Sequence, residues 1–404
     1  MQITKTDYNP ELLKSWEADG QSQKMIDGML RKFLSMFNNI FNNTTRTKNF
    51  SAYISGLLSN LKRKSIEPIA LKVMGASGVR TLQNFITRST FDDEKILEHY
   101  QEQLSGAISS PKPEPEGMLS VDGSDFAKKG KNSAGVKRQY CGRLGKVENC
   151  QAGVFAAYAG SGGYGIIDRE LYLPKDWFND SHKDLRKKCQ VPETKDFKTK
   201  NEIALDMITQ IVDKNLFNAK WIGCDASFGC DHSFVDALAL MQPRYFVATS
   251  NKERIFLPGS ESPVTVKSLA VNDSFQWEKV GFEGSKGISY SDIKIIRCFS
   301  CRTDNKGIPF AHDEIWCYIR RYKNGDTKYF LSNAPTDIPP VELHEAATLR
   351  WPIEQCFEEC KSFLGMADFE GRSYNGFLRH LLFVMIAHFF GTSLRLELKK
   401  TASP

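Results

Sequence analysis

The sequence predicts a mixed α/β protein that begins with a helical segment and carries a β-rich block late in the chain. Apolar residues recur at helical spacing through residues 1–110, as expected for amphipathic helices. Strand-like and helical runs then alternate over residues 118–250, which is typical of a mixed sheet. Helical periodicity disappears over residues 251–338, where short alternating runs take over. A chain of 404 residues is long enough for two or three domains.

The helical N-terminal segment contains a candidate DNA-reading motif. Residues 25–37 and 50–61 each place apolar side chains on one helix face. The sequence Gly-Ala-Ser-Gly at residues 75–78 then separates the apolar residues 68–71 from a short helix at residues 79–86. Two short helices around a glycine turn are compatible with a helix-turn-helix that reads DNA. They are equally compatible with a basic helical bundle that has no groove-reading role.

The same segment is rich in cations, although the net charge of +6 does not by itself indicate a nucleic-acid partner. Between Arg46 and Arg88 there are eight Lys or Arg and a single acid, Glu67. Such a local excess of cations predicts contacts with DNA phosphates. The candidates for these contacts are the consecutive residues Lys62, Arg63 and Lys64.

Three prolines mark the boundary of the helical segment, within a predicted linker at residues 111–117. Their fixed backbone angle suppresses helix and favours an extended spacer. The predicted organisation is a helical, basic, DNA-binding domain at residues 1–110, followed by a mixed-sheet core whose first part is residues 118–250. The β-rich insertion of residues 251–338 interrupts this core, and residues 339–404 complete it with helices.

The stretch at residues 118–130 is the first candidate for chemistry. Apolar residues at strand spacing lead to Asp122, where the strand is expected to end. Between Phe126 and Val147 there are seven Lys or Arg and no acid. An acid beside a basic loop suits a metal ion with a phosphate next to it, and it equally suits a solvated turn capped by an aspartate. Asp125 is an alternative first acid. The candidate DNA contacts in this loop are Lys128 and Lys129.

A second candidate acid lies at the end of another predicted strand. Residues 219–225 form a short apolar run that ends on Asp225. A helix predicted at residues 234–241 and a strand at residues 245–248 follow it. This alternation indicates a mixed α/β sheet.

A third acid lies on a predicted helix at residues 350–361, where Pro352 should kink or restart the helix. The charged residues that project from one face of this helix are Arg350, Glu354 and Lys361. A solvated face would carry such charges too, because an Arg and a Glu four residues apart commonly form a surface salt bridge. Glu358 lies on the same face and is the main rival to Glu354.

Other functional classes find little support in the sequence. The N-terminus has no apolar run of signal-peptide length, and the most apolar stretch, residues 381–390, is too short to span a bilayer. We therefore expect a cytoplasmic, nucleoid-associated protein of a prokaryote with no membrane contact and ten reduced cysteines. Cys298 and Cys301 have the spacing of half a zinc site, but no second pair matches them.

These residues together resemble the DDE-type insertion-sequence transposases, in the clan with the signature Tyr-x2-Arg-x3-Glu-x6-Lys. Arg350, Glu354 and Lys361 match the signature in type and spacing, whereas Ala347 stands at the tyrosine position. Three further segments resemble the family: Asp122-Gly123-Ser124 with Lys128-Lys129-Gly130, Asp225 with Phe228-Gly229, and Gly371-Arg372-Ser373.

The resemblance implies a ribonuclease-H-like core in which Asp122, Asp225 and Glu354 are the catalytic acids. It implies that they hold two Mg²⁺ ions, with Mn²⁺ as a substitute, and that Asp122 bridges the two metals. Hard carboxylate oxygens are the natural ligands of such ions. Arg350 and Lys361 would hold DNA phosphates nearby.

The implied activity is cleavage at transposon ends, followed by joining of the 3′-hydroxyl ends to target DNA. The implied partners are double-stranded terminal repeats and target DNA, with a homodimer assembled on them. A catalytically inactive DNA-binding regulator is the alternative. A glycosidase with paired carboxylates is a third interpretation, but it leaves the basic loops unexplained.

Overall fold

A single sheet runs through the described part of the chain. The computed structural model describes residues 2–3, 20–110, 114–284 and 287–402. Within these ranges thirteen strands form one mixed sheet, and apolar clusters with helices lie on both of its faces. The mixed α/β class predicted from the sequence is therefore confirmed.

The elements are numbered in chain order. The strands are β1 (Gln2–Ile3), β2 (Glu116–Ala127), β3 (Lys137–Cys141), β4 (Lys146–Gly160), β5 (Gly163–Tyr172), β6 (Ala219–Cys224), β7 (Arg244–Thr249), β8 (Arg254–Phe256), β9 (Val264–Thr265), β10 (Glu278–Gly284), β11 (Gly287–Thr303), β12 (Pro309–Tyr322) and β13 (Thr327–Ser332). The helices are α1 (Gly20–Ser35), α2 (Asn38–Phe41), α3 (Thr44–Leu58), α4 (Ile66–Val73), α5 (Gly78–Thr87), α6 (Asp93–Ile108), α7 (Lys183–Lys188), α8 (Lys200–Lys214), α9 (Ala226–Gly229), α10 (His232–Ala239), α11 (Val266–Val271), α12 (Pro340–Leu349), α13 (Trp351–Phe363) and α14 (Tyr374–Ala402).

The N-terminal helices α1 to α6 pack around α14. Aromatic rings fill the interface, and the Phe50 ring lies 5.2 Å from that of Phe383 on α14. Side-chain caps set the helix starts: Asn43 accepts a hydrogen bond from Arg46 N at the start of α3, and Asp92 caps α6. Within residues 20–110 the predicted helical character is present, and these helices share one apolar core with the sheet. Gln2 and Ile3 instead form β1, which pairs with β10, and residues 4–19 of the predicted helical segment lie outside the described residues.

The middle of the sheet has the strand order β5–β4–β2–β6–β7. β2 runs antiparallel to β4 and parallel to β6, and β6 runs parallel to β7. The helix α8 crosses from β5 to β6 and packs on β4, β2 and β5. It begins with a capping box in which the Thr199 side chain and the Glu202 side chain satisfy each other's backbone N–H groups.

The β-rich block extends this same sheet. β13 pairs with β7, and β12, β11 and β10 follow in order towards the edge. The strands predicted around residues 293–299, 315–322 and 327–331 lie within β11, β12 and β13. The tight turn at Asn324-Gly325 joins β12 and β13, with Gly325 at φ 89°, as such turns require. The block therefore adds strands to the core sheet rather than a separate layer.

The C-terminal helices confirm two details of the sequence prediction. The chain restarts its helix at Pro352, since α12 ends at Leu349 and α13 begins at Trp351. The apolar residues 381–390 lie inside α14. By length and composition Tyr374–Leu398 could cross a membrane, but 61% of its apolar stretch is buried inside the fold, which is typical of a core helix.

Two local expectations differ from the structure. β2 does not end at Asp122 but continues to Ala127, because its second half stays paired with β4. The helix predicted at residues 50–61 is α3, which begins and ends earlier.

Cys298 and Cys301 are both buried on β11, and burial raises the pKa of each thiol, so they are packed as core side chains.

The close approach of α3 and α4 depends on Gly56. A Cβ at this position would overlap Cγ2 of the buried Ile69. We expect Gly56→Ala to lower the free energy of unfolding by about 1–3 kcal/mol, because the tightly packed core must shift to admit the methyl group. Gly28→Ala on α1 is the control, since nothing lies within 4 Å of its Cβ, and it should be neutral or slightly stabilising. Denaturant unfolding measures both, and equal effects would contradict the packing argument.

Candidate active site

The pairing of β2 with β6 brings Asp122 and Asp225 to one point of the sheet. The two strands run parallel, and their last paired residues are Val121 and Cys224. Asp122 and Asp225 follow directly in the chain. Two acids far apart in sequence therefore lie side by side, at the point where β2 continues along β4 alone.

Side-chain alternation along β2 decides which face Asp122 occupies. Met118 packs in the same apolar cluster as Leu343 and Ala346 of α12, whereas its strand neighbours Leu119 and Val121 do not belong to that cluster. Asp122 follows Met118 by four residues, and because side chains alternate between the two faces of a strand, it points to the same face as Met118. It therefore faces the side of the sheet where α12 ends and α13, which carries Glu354, begins.

Asp122 is electrostatically coupled to the other two acids. The pKa of its carboxyl is raised to about 7, first by burial and then by the charge of Asp225, with a smaller contribution from Glu354. The Gly123 N–H, which donates to Asp122 Oδ1 at 2.7 Å, and the charge of Arg350 act in the opposite direction. The three carboxylates thus gather in one electrostatic environment.

Asp225 is held by the turn that follows β6. It is the N-cap residue of α9, and its Oδ1 accepts hydrogen bonds from Ser227 N at 2.9 Å and Ser227 Oγ at 2.5 Å. Gly229 ends this short helix where a Cβ would overlap the Ala248 carbonyl of β7. Both contacts fix the carboxylate relative to the end of the strand.

Arg350 lies among the three acids. It forms an ion pair with Glu354, in which the Arg350 side chain is 13% exposed and the Glu354 side chain 46% exposed. Arg350 also lines, together with Asp225, an open cleft of about 470 Å³. One guanidinium therefore faces three carboxylates, which leaves an excess of negative charge that suits a divalent cation.

A buried polar network fixes the helix that carries Glu354. Glu359, one helical turn and a half further along α13, accepts hydrogen bonds from Tyr164 of β5 at 2.8 Å and from Gln355 at 3.0 Å. His388 of α14 lies 2.6 Å from the same carboxylate. Although burial raises it, the pKa of Glu359 is lowered overall by these partners. The network thereby sets the rotation of α13 above β5.

The predicted DNA contacts near the acids differ in their surroundings. Lys361 lies beside β2, with its ammonium 5.8 Å from the centre of the Phe126 ring. Lys128 donates to the Phe369 carbonyl at 2.5 Å, and burial lowers its pKa to about 8. Lys129 is exposed. Lys129 is therefore open to a DNA phosphate, whereas the Lys128 ammonium is bound to the main chain.

The three consecutive cations of the N-terminal segment do not share one environment. Lys62 is exposed, and Arg63 forms an ion pair with Glu370 at the surface. Lys64 is buried, and its ammonium donates to the carbonyls of Leu57, at 2.6 Å, and Phe363. The expectation that Lys64 contacts DNA is therefore corrected: it joins α3 to the end of α13.

The two rival acids have other surroundings. Asp125 Oδ2 accepts a hydrogen bond from Gly142 N at 2.7 Å and so holds the turn after β3. Glu358 is exposed on α13. The charges that raise the pKa of Asp122 most are instead those of Asp225 and Glu354.

Other residues of the cleft were not predicted from the sequence. Thr249 of β7 and the exposed Lys328 of β13 line it together with Tyr329 and Phe330. They belong to strands that become neighbours only through the pairing of β13 with β7. No local motif signals that pairing, so the sequence alone could not have identified them.

Comparison with known families identifies the family of this chain. The family described as DDE superfamily endonuclease matches residues 36–268, more than half of the chain. The chain belongs to this family. The family described as transposase DDE domain matches residues 191–390. The identification of the sequence as a DDE-type insertion-sequence transposase is therefore confirmed.

Among similar proteins, the chain is 24% identical over 364 residues to a probable transposase for insertion sequence element IS701 of Microchaete diplosiphon. That match covers 85% of this chain and 82% of the relative. Among solved structures, the NurA nuclease of Sulfolobus solfataricus matches 77% of this chain and 93% of its own, at 9% identity and a TM-score of 0.28.

The raised pKa of Asp122 predicts an unusual pH dependence of stability. The pKa of an aspartate carboxyl is near 4 in the unfolded chain, and that of Asp122 is about 7 in the folded protein. Such a carboxyl contributes its full stabilisation below the unfolded-state pKa, and this contribution is lost as the pH rises towards and through the folded-state pKa. In chelator, we therefore expect wild type to lose stability relative to Asp122→Asn between about pH 4 and 7, with little further change above that range. Thermal unfolding of both proteins measures the difference, and parallel pH profiles would contradict the coupling.

The corrected role of Lys64 predicts a separation of stability from DNA binding. Lys64→Ala should lower the free energy of unfolding by about 1–3 kcal/mol, because the carbonyls of Leu57 and Phe363 lose their donor. Lys62→Ala should leave stability within about 0.5 kcal/mol and weaken binding to a mixed-sequence DNA duplex at low salt. Denaturant unfolding and a fluorescence binding assay test the pair; a stable Lys64→Ala variant with weakened DNA binding would restore the original assignment.

Proposed function

We propose that this chain cuts DNA at the ends of its mobile element and joins the freed 3′-hydroxyl ends to target DNA. The observation that carries the proposal is the parallel pairing of β2 with β6, whose last paired residues directly precede Asp122 and Asp225. Glu354, in an ion pair with Arg350, acts on the charge of Asp122 as well. The strand order β5–β4–β2–β6–β7, with its antiparallel and parallel pairings, supports a ribonuclease-H-like core for this site.

The donor set fits a pair of divalent cations. Asp122, Asp225 and Glu354 offer hard oxygen ligands, and their mutual repulsion is only partly offset by Arg350. The family resemblance implies Asp122 as the shared ligand, and the charges of both other acids act on its carboxyl. Bound Mg²⁺, or Mn²⁺ in its place, would activate the attacking oxygen and stabilise the leaving oxygen of a phosphodiester.

The residues of the chain would contribute binding and orientation. Asp122 must lose its proton to act as a ligand, and its raised pKa places this loss close to neutral pH. Arg350 would exchange Glu354 for a DNA phosphate, which its planar guanidinium binds with two hydrogen bonds. Lys361 and Lys129 would add positive charge along the path of the strand.

The same site can serve both steps of the reaction, since only the nucleophile changes from water to a DNA 3′-hydroxyl. Both ends of an element must be held together for joining. We therefore propose that the protein acts as a homodimer assembled on DNA, with duplex terminal repeats and target DNA as its partners.

Substitution of single acids on α13 tests the assignment. Glu354→Gln keeps the side-chain shape and removes one charged ligand, so cleavage should fall by at least about two orders of magnitude while DNA binding persists. The substrate is a supercoiled plasmid that carries the coding sequence with its native flanking DNA, incubated with Mg²⁺. Nicked and linear products are separated on a gel.

Glu358→Gln is the matched control, because Glu358 is exposed on the same helix, and it should cleave as wild type does. An inactive Glu358→Gln with a fully active Glu354→Gln would mean that the register on α13 is wrong. A wild-type protein that binds the plasmid but never nicks it with Mg²⁺ or Mn²⁺ would favour the inactive regulator.

A further inference from the structure

Helices α3, α4 and α5 form a compact three-helix unit. Each of them contacts the other two. α4 and α5 are joined by a four-residue turn in which Gly75 has φ 77°, a conformation that suits glycine. Gly78 begins α5 where a Cβ would overlap Cβ of Met74. The turn is therefore built for two short helices that cross closely.

One face of α5 is fixed in the core. Leu82, Phe85 and Ile86 are buried, and the Phe85 ring is stacked 5.9 Å from that of Phe383 on α14. Arg379 of α14 donates to the Ile86 carbonyl at 3.2 Å. These contacts hold α5 rigidly, so the direction of its opposite face is set by the core.

The opposite face of α5 is open and polar. Its exposed side chains are Arg80, Thr81, Gln83 and Asn84, with Arg88 just beyond the helix end. Within the part of the chain that the structure describes, the side chains of Arg80, Gln83 and Asn84 make no hydrogen bond. Arg pairs with guanine, and Asn or Gln with adenine, through two hydrogen bonds in the major groove. The face thus presents the side chains that read base edges.

The charge of this region suits a nucleic acid. No acid occurs between residues 68 and 91, and Lys72 on α4 and Arg88 flank the open face. A helix of ten residues is about 15 Å long, and the major groove of B-form DNA, about 12 Å wide, admits such a helix. The open face lacks the large apolar side chains that anchor protein partners.

We propose that α5 reads base sequence in the major groove of duplex DNA. Arg80 and Asn84, one turn apart at the centre of the open face, make the main base contacts, and Gln83 adds a third. Lys72 and Arg88 contact the phosphates on either side. This surface lies apart from the carboxylate cluster, and its role does not depend on strand cleavage.

Selection from a library of random-sequence duplexes tests the proposal. Full-length protein is incubated with the library in chelator, so that cleavage plays no part, and the bound DNA is sequenced. Wild type should enrich a motif that contains guanine and adenine positions. Arg80→Ala and Asn84→Ala should each lose preference at one or two positions of the motif, and should bind it about 10-fold or more weakly.

Two controls separate base reading from other effects. Lys72→Ala should weaken binding to all duplexes alike and reduce the salt dependence by about one phosphate contact, with the motif unchanged. Arg31→Ala, which removes an exposed arginine from α1, should change neither motif nor affinity. Thermal unfolding confirms that each variant is folded.

Three results would overturn the proposal. The first is that wild type enriches no motif, and the second is that Arg80→Ala and Asn84→Ala both enrich the unaltered motif. The third is that an RNA duplex of the selected sequence competes as well as the DNA duplex does, because the major groove of RNA is too narrow for a helix.

The proposed cleavage can fail independently of this proposal. A protein that selects a motif in chelator but never nicks DNA with Mg²⁺ would keep the assignment of α5 to base recognition and lose the catalytic assignment.

Discussion

The parallel pairing of β2 with β6 is the constraint on which the candidate site depends. The register of this pairing is set by burial. Met118 is paired with Trp221, and both side chains belong to the apolar cluster under α12. Val121 is paired with Cys224, and both of these side chains face the core on the opposite side of the sheet. A slip of one residue would exchange these faces and bury polar groups in apolar surroundings. The acids follow the last pair on each strand, so the register that the core enforces is also the register that juxtaposes them. The chemistry needs no separate device to bring Asp122 and Asp225 together.

The third acid reaches the site by a different route. Glu354 belongs to a helix, so its position depends on how α13 is rotated and where it starts. Pro352 sets the start, and the hydrogen bonds of Glu359 with Tyr164 and His388 set the rotation. The cost of gathering three carboxylates is visible in the raised pKa of Asp122. Arg350 offsets part of that repulsion, which explains why this cation lies largely buried and pairs with Glu354.

Local signals in the sequence predicted what local chemistry determines. The turn at Asn324-Gly325, the restart at Pro352 and the strands of the β-rich block follow from backbone preferences of a few residues, and the structure has them. The longer reach of β2 and the burial of Lys64 were missed, because both depend on contacts with distant segments: β4 in one case, and the carbonyls of Leu57 and Phe363 in the other. The sequence of the basic run predicts that Lys64 binds phosphate. Only the fold shows that its ammonium donates to two carbonyl groups of the protein instead. For the same reason, the cleft residues on β7 and β13 carry no signature of their own.

The burial of Lys64 also bears on how the N-terminal helices relate to the site. Three contacts tie the segment between α3 and α4 to the end of α13 and the chain just after it. The Lys64 ammonium donates to the Phe363 carbonyl, and the Lys64 backbone N–H donates to Asp368 at 2.8 Å. The third contact is the Arg63–Glu370 ion pair. Lys128, at the end of β2, donates to Phe369 in that same segment. The three-helix unit and the carboxylates are thus linked through one short stretch of chain and through the core around α14. A DNA duplex bound at α5 as proposed would therefore meet the face with the three carboxylates at a set angle, because neither unit can turn without breaking these contacts and the core around α14. Sequence recognition and cleavage would be coupled by rigidity rather than by a conformational change.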